Sequence, residues 1–126
     1  MGDNTKVVQQ AYDAFGRGDI PAFLGLLDEG ITWSTPMTLP HGGEFTGHAG
    51  VGRFLEGIGA NWSSLVVIPE AVSDLDGNTV VGVARVDGTR TSGAKDGYGA
   101  VHVFTVGNGK ITRFREYTTD LDTARV

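Results

Sequence analysis

Cysteine is absent from this 126-residue chain, so neither a disulfide framework nor a thiolate nucleophile is available to it. Basic residues are few: ten Lys and Arg stand against fifteen Asp and Glu, a net charge of −5. That is the wrong sign for a protein whose affinity comes from neutralising phosphates, and nucleic acid is not an expected partner. The three histidines, His41, His48 and His102, contain no His-x-x-x-His pair. With no thiolate beside them they offer no zinc spacing, so neither a metal nor another cofactor is expected. No apolar run approaches the ~18 residues of a membrane span, and Met1-Gly2-Asp3-Asn4-Thr5-Lys6 has no basic segment leading into an apolar one. The expectations are no membrane contact and a cytoplasmic location. Proline is scarce at four residues, and the 20 glycines follow no Gly-X-Y period, which excludes collagen-like and proline-rich disordered chains.

What is present suits one core. With 40% apolar residues, the chain has material for a single domain over residues 1–126. Val7, Val8, Ala11, Tyr12 and Phe15 recur at helical spacing and predict a helix over 4–16, closed by Gly16 and Gly18. Asp19 is a good N-cap with Pro21 in the first turn, and Ile20, Phe23, Leu24 and Leu27 predict a second helix ending near Gly30. A strand over 31–35 leads into a loop from Pro36 to Gly47, and Val51, Phe54, Leu55 and Ile58 mark a third helix.

Beyond Asn61 the apolar period becomes two. Strands are predicted over 63–74, 79–91, 97–106 and 110–119, separated by Asp76-Gly77-Asn78, Ser92-Gly93-Ala94-Lys95 and Gly107-Asn108-Gly109. Asn108-Gly109 is a strong hairpin signal, because both residues tolerate the positive φ of a type I′ turn. The expected fold is α+β, with a curved antiparallel sheet wrapped on three N-terminal helices. Gly82, Gly97 and Gly99 fall within or beside strands, where glycine normally weakens a sheet; bending around a cavity would account for them.

The chain resembles the nuclear-transport-factor-like, ketosteroid-isomerase-like superfamily, and within it the SnoaL-like, polyketide-cyclase-like branch. The residues that carry the resemblance are Ala11-Tyr12-Asp13-Ala14-Phe15 with Gly18-Asp19, Trp33-Ser34-Thr35-Pro36, Gly42-Gly43-Glu44-Phe45-Thr46-Gly47, and the run from His102 to Asp120. It implies a cone-shaped α+β barrel with a deep apolar pocket, dimerising through the open face of the sheet. It does not select one chemistry, since that scaffold hosts isomerases, cyclases, dehydratases, hydrolases and plain binding modules.

Polar residues inside apolar strand patterns are the candidates for chemistry. His102 shares a strand face with Tyr98, Ala100 and Phe104, which makes it a candidate acid or base or, equally, a satisfied core histidine. Glu116 could be a pocket carboxylate or an ion-pair partner of an arginine. Counting outward from the hairpin turn sets His102 against Arg113 to Arg115 and leaves Glu116 diagonal, and a one-residue bulge would reverse that facing. The resemblance pairs His102 with Asp120 as catalytic groups. Tyr12, Trp33, Phe54, Tyr98 and His41 are candidate ligand-binding residues, with core packing the alternative for the aromatics, whereas His48 is expected to face solvent. Gly47–Gly52 lacks the phosphate-loop pattern and reads as helix entry. Arg85 with Asp87, and Arg90 with Asp96, read as surface pairs across hairpin strands.

Two functions fit. One is cofactor-free acid/base catalysis (isomerisation, cyclisation, dehydration or hydrolysis) on a small, apolar, carbonyl-bearing molecule. The other is a non-catalytic small-molecule-binding or homodimerisation module. A histidine and a carboxylate converging in a pocket would favour the first.

Overall fold

The computed structural model describes residues 2–119. Helix α1 (Gly2–Arg17) buries Val8, Ala11 and Ala14 and stops at Gly18, whose N–H bonds back to the Phe15 carbonyl. Asp19 then caps α2 (Ile20–Gly25) by accepting from the Ala22 N–H at 3.2 Å. This helix is shorter than its apolar period suggests. Leu27 begins β1 (Leu27–Thr35) instead, because the backbone there pairs with the last strand, with the Ile111 N–H donating to the Leu26 carbonyl at 2.9 Å. Tertiary pairing overrides local propensity. The loop expected over 36–47 holds a short strand, β2 (Gly43–Thr46), which pairs antiparallel with β1. It leads directly into α3 (Gly47–Asn61).

The remaining strands are β3 (Trp62–Asp74), β4 (Thr79–Arg90), β5 (Lys95–Gly107) and β6 (Lys110–Thr118). They match the expected strands to within about two residues, the usual looseness of strand ends. The six strands form one curved, unclosed sheet in the order β2-β1-β6-β5-β4-β3. It is mixed rather than purely antiparallel, since β1 runs parallel to β6. That pairing joins segments some 80 positions apart and leaves no mark in the local pattern. The helices lie against one face, so even-numbered residues of β4 and β5 (Val80, Ala84, Val86, Ala100, Phe104) are buried while Val83 and Val101 stay exposed.

The β5–β6 hairpin decides what reaches the interior. Its turn is the expected one, with Asn108 at φ 53° and Gly109 at φ 76°. Gly107 pairs with Lys110 and Val106 with Ile111, but Thr105 pairs with Arg113, so Thr112 is an extra residue, a bulge. Its hydroxyl donates to the Thr105 carbonyl at 3.2 Å. From there outward the register is advanced by one, and His102 stands opposite Glu116 rather than Arg115.

Across the inner face the sheet is laid out in rows. Gly82, His102 and Glu116 form one row over the three strands β4, β5 and β6. Val80, Phe104, Phe114 and Trp33 form the next, and in it Trp33 stacks on Phe114 with ring centroids 3.8 Å apart. On the other side lie Ala84, Ala100 and Thr118.

Because the hairpin turn sets this register, its strain should be measurable. Asn108→Val puts a β-branched residue in the left-handed region and is expected to lower unfolding free energy by about 1–2 kcal/mol. Asn108→Gly should stay within about 0.5 kcal/mol of the parent in urea titrations. Equal stability of all three proteins would contradict this account of the turn.

Candidate active site

The interior apolar residues form two clusters. The larger joins the helices to Trp33, Phe104 and Phe114; the smaller comprises Leu39, Val86, Tyr98 and Ala100 with Leu65 and Val67. Between them lies a cavity of about 60 Å³, walled by residues of both. Phe15, Phe23, Trp33, Phe54, Phe104 and Phe114 supply aromatic wall, and Tyr12, His41, Tyr98, His102 and Glu116 supply the polar atoms. The five side chains read from the sequence as ligand-binding therefore stand together in this wall, with His102 and Glu116 beside them. Asp120 lies outside the described residues.

Glu116 and His102 are 9% and 4% exposed. His102 Nε2 lies 2.8 Å from Glu116 Oε2, and His102 Nδ1 lies 2.7 Å from the Tyr12 hydroxyl. A carboxylate only accepts, so Nε2–H donates to Glu116; the remaining nitrogen of a neutral imidazole then accepts from Tyr12. Burial, and after it the charge of Glu116, pushes the Tyr12 phenol well above its ordinary range, which keeps it a donor. The result is a directed chain, Tyr12 to His102 to Glu116, with both imidazole nitrogens taken. Gly82 makes the geometry possible: a Cβ there would sit 2.1 Å from the Tyr12 oxygen. The strand glycine thus clears space for the hydroxyl that reaches across to its row neighbour.

The second histidine comes from the loop between β1 and β2. His41 is 5% exposed, and its Nδ1 accepts from the Trp62 indole N–H at 3.0 Å. Burial pulls its pKa below the ordinary histidine range; Arg90 acts in the same direction and Glu116 opposes both. Trp62 is braced by the Arg90 guanidinium, 4.7 Å above its ring, and Arg90 bonds Asp96 at 3.1 Å. That ion pair is not a surface one, because the Asp96 side chain is 3% exposed. The other pair also departs from expectation: Arg85 and Asp87 sit on one strand, 3.0 Å apart and exposed. His48 is half-buried rather than solvent-facing, its Nε2 bonding the Leu27 carbonyl at 2.9 Å. Tyr98 is 1% exposed, and burial, then Glu116, then Asp96 raise its phenol above the ordinary range. Trp33 Nε1 is buried without a hydrogen-bond partner.

Residues 8–114 match the family of SnoaL-like domains. The chain belongs to the SnoaL-like domain family. An NTF2-like protein of unknown function from Burkholderia pseudomallei K96243 shares 26% identity and superimposes with a TM-score of 0.87, over 99% of this chain and 95% of that one. TerC, co-crystallised with polyporic acid, shares 25% identity at a TM-score of 0.85, over 98% of this chain and 94% of its own. A Mycobacterium tuberculosis protein in complex with estradiol-17β-hemisuccinate, at 21% identity and a TM-score of 0.75 over 90% of this chain and 95% of that one, shares the fold. No similarity to a curated protein was found.

In this SnoaL-like domain the arrangement combines one carboxylate, a relay that orients it, and an apolar surround. Such a set can take a proton from carbon or return one. Among the described residues no group of three or more His, Cys, Asp or Glu could hold a metal ion, and no helix is long and apolar enough to cross a membrane. Sequence reasoning missed the bond from Tyr12 to His102 and that from Trp62 to His41. Gly82, a glycine in a strand directly across from His102, was the one signal for the former; nothing local marks the latter.

The Tyr12–Gly82 fit predicts a coupled pair. Gly82→Ala should cost about 1–3 kcal/mol as an overpacked substitution. In a Tyr12→Phe background, where the clashing oxygen is gone, the same change should cost less, with a coupling of at least about 0.5 kcal/mol in denaturant unfolding. Additive costs would sink this explanation of the glycine.

Proposed function

We propose that this SnoaL-like domain binds a small, apolar, carbonyl-bearing molecule and catalyses cofactor-free proton transfer next to the carbonyl, with Glu116 as the proton acceptor. The observation that carries the reading is the buried hydrogen-bonded chain from Tyr12 through His102 to Glu116, facing an aromatic-walled cavity. Glu116 Oε2 is held by His102, so the other carboxylate oxygen is the one to meet the substrate. It takes a proton from the carbon beside the carbonyl, the electron pair moves onto the carbonyl oxygen, and the proton returns at the same or a conjugated carbon. Isomerisation and aldol-type cyclisation are the outcomes of that step. His102 then acts as a positioning residue rather than the base itself, since neither of its nitrogens is free. The cavity volume of about 60 Å³ lies far below the ~300–1,000 Å³ of drug-sized sites, which favours a small ring over a polycyclic substrate. The ligand complexes of TerC and of the mycobacterial protein support small-molecule binding on this fold.

A second reading, a binding module without turnover, has one observation in its favour: the same saturation of His102, which a purely structural histidine would also display. Hydrogen–deuterium exchange at the α-carbon of small cyclic ketones and enones, followed by NMR in deuterated water, separates the two. Turnover predicts exchange above background that falls about 100-fold or more in Glu116→Gln. Ligand binding with no exchange on any compound, or exchange unchanged in the variant, overturns the catalytic reading.

The outer face of the sheet supports a homodimer. Val83, Val101 and Tyr117 form one cross-strand row there; Val66 and Ile68, on β3, pair with Asp87 and Arg85 further along β4, and all five apolar residues are 38–52% exposed. A row centred on Val101 can meet its own copy about a two-fold axis. Sedimentation should give a dimer at micromolar concentration and a monomer for Val101→Asp. A monomeric parent protein would refute the dimer.

A further inference from the structure

Trp33 Nε1–H is buried in the cavity wall without a hydrogen-bond partner among the described residues, and the same wall carries the Tyr98 hydroxyl and the His41 imidazole. His41 is the one whose donor is dictated by a partner. An indole nitrogen carries a hydrogen and can only donate, so the 3.0 Å contact makes His41 Nδ1 the acceptor. A neutral imidazole has one N–H, which must then be on Nε2. Protonating His41 would set an N–H against the N–H of Trp62, so the contact itself favours the neutral ring. Trp62 is not part of the cavity wall, whereas His41 is. The two nitrogens of an imidazole point to different sides of the ring. With Nδ1 turned toward Trp62, Nε2–H points to the other side of the ring, away from the indole.

Trp62 is itself held from behind. The Arg90 guanidinium lies over its ring, anchored by buried Asp96, and Gly88 leaves room for the indole, since a Cβ there would fall 2.5 Å from ring atoms. Beside the one carboxylate, Glu116, the N–H and O–H groups of this wall can receive an acceptor oxygen, more so as that oxygen gains negative charge.

We infer that His41, through Nε2–H, holds the ligand's acceptor oxygen, and that Trp62 is the positioning residue that keeps His41 in this role. The ligand class is a ring-sized ketone or enone with its carbonyl oxygen at the His41 end. This rests on the reading that the cavity takes a carbonyl compound. Where Glu116 removes a proton, His41 stabilises the oxygen on which the electron pair arrives, without giving up its own proton.

The test uses the intact protein with ¹⁵N-labelled histidine and cyclohex-2-enone carrying ¹³C at its carbonyl. The enone accepts hydrogen bonds and donates none, so Glu116 cannot hold its oxygen. At neutral pH the His41 resonances should show protonated Nε2 and bare Nδ1, and Trp62→Phe should give a mixture of tautomers. Bound enone should show a downfield carbonyl shift. His41→Phe should weaken its binding about fivefold, the value of one neutral hydrogen bond, and remove most of that shift. His41→Gln, whose amide can accept from Trp62 and also donate, should recover both. If Trp62→Phe does not fold, the two His41 variants still decide the matter.

A protonated Nδ1 in the parent protein, an unchanged tautomer in Trp62→Phe, an unchanged carbonyl shift in His41→Phe, or no enone binding at millimolar concentration overturns the inference. Failure of Glu116→Gln to alter deuterium exchange would remove proton transfer and leave the tautomer and carbonyl results standing, so the two ideas fail separately.

Discussion

A carboxylate inside an aromatic cavity is the constraint on which the rest of this site depends. Burying Glu116 without partners would cost several kcal/mol, and the neighbouring structure is organised to supply one. His102 gives its Nε2–H to Glu116 and needs a donor at Nδ1; Tyr12 provides it from α1. Tyr12 reaches that position only because Gly82, beside His102 in the sheet, has no side chain. A helix, three strands and one glycine are thus tied to the hydrogen bonding of a single acidic group.

That acidic group is inside rather than outside by virtue of one residue. Without the bulge at Thr112, the hairpin register would set Arg115 against His102 and turn Glu116 to the outer face. Glu116 would then stand opposite Val101 on the outer face, and Arg115 and Tyr117 would both turn inward. The bulge reverses this, leaving Arg115 outside to bond the Tyr117 hydroxyl at 3.2 Å. Strand sequences with charged residues at successive positions are ambiguous about facing, and local irregularity resolves them.

This ambiguity explains what was legible in the sequence. Periodicity and turn chemistry located both long helices, the four later strands and the Asn108-Gly109 hairpin, because those signals are local. The parallel partnership of β1 with β6, which curtails α2 at Gly25, and the four-residue strand β2 are non-local. They depend on which edges meet, and apolar spacing carries no record of that. The candidate wall residues Tyr12, Trp33, Phe54, Tyr98 and His41 could be named as large or polar groups on apolar faces. Which bonds they make could not, since Tyr12 and His102 are 90 positions apart and His41 meets Trp62 only once a loop and a strand end pack together.

The two cavity histidines reach the same tautomer by opposite means. His102 carries its hydrogen on Nε2 because Glu116, an acceptor only, faces that nitrogen; His41 carries its hydrogen there because Trp62, a donor only, faces the other one. The difference lies in where the hydrogen bond ends. His102's ends on protein, so that ring is complete and serves to orient. His41's, in the inferred role, ends on the ligand. Around one aromatic-walled space stand a carboxylate and an imidazole, each held from behind; in the proposed reaction the first is the proton acceptor and the second the hydrogen-bond donor. That is the polarity required to draw a proton from carbon while accepting charge on the neighbouring oxygen, and here it follows from what stands behind each residue rather than from residue type.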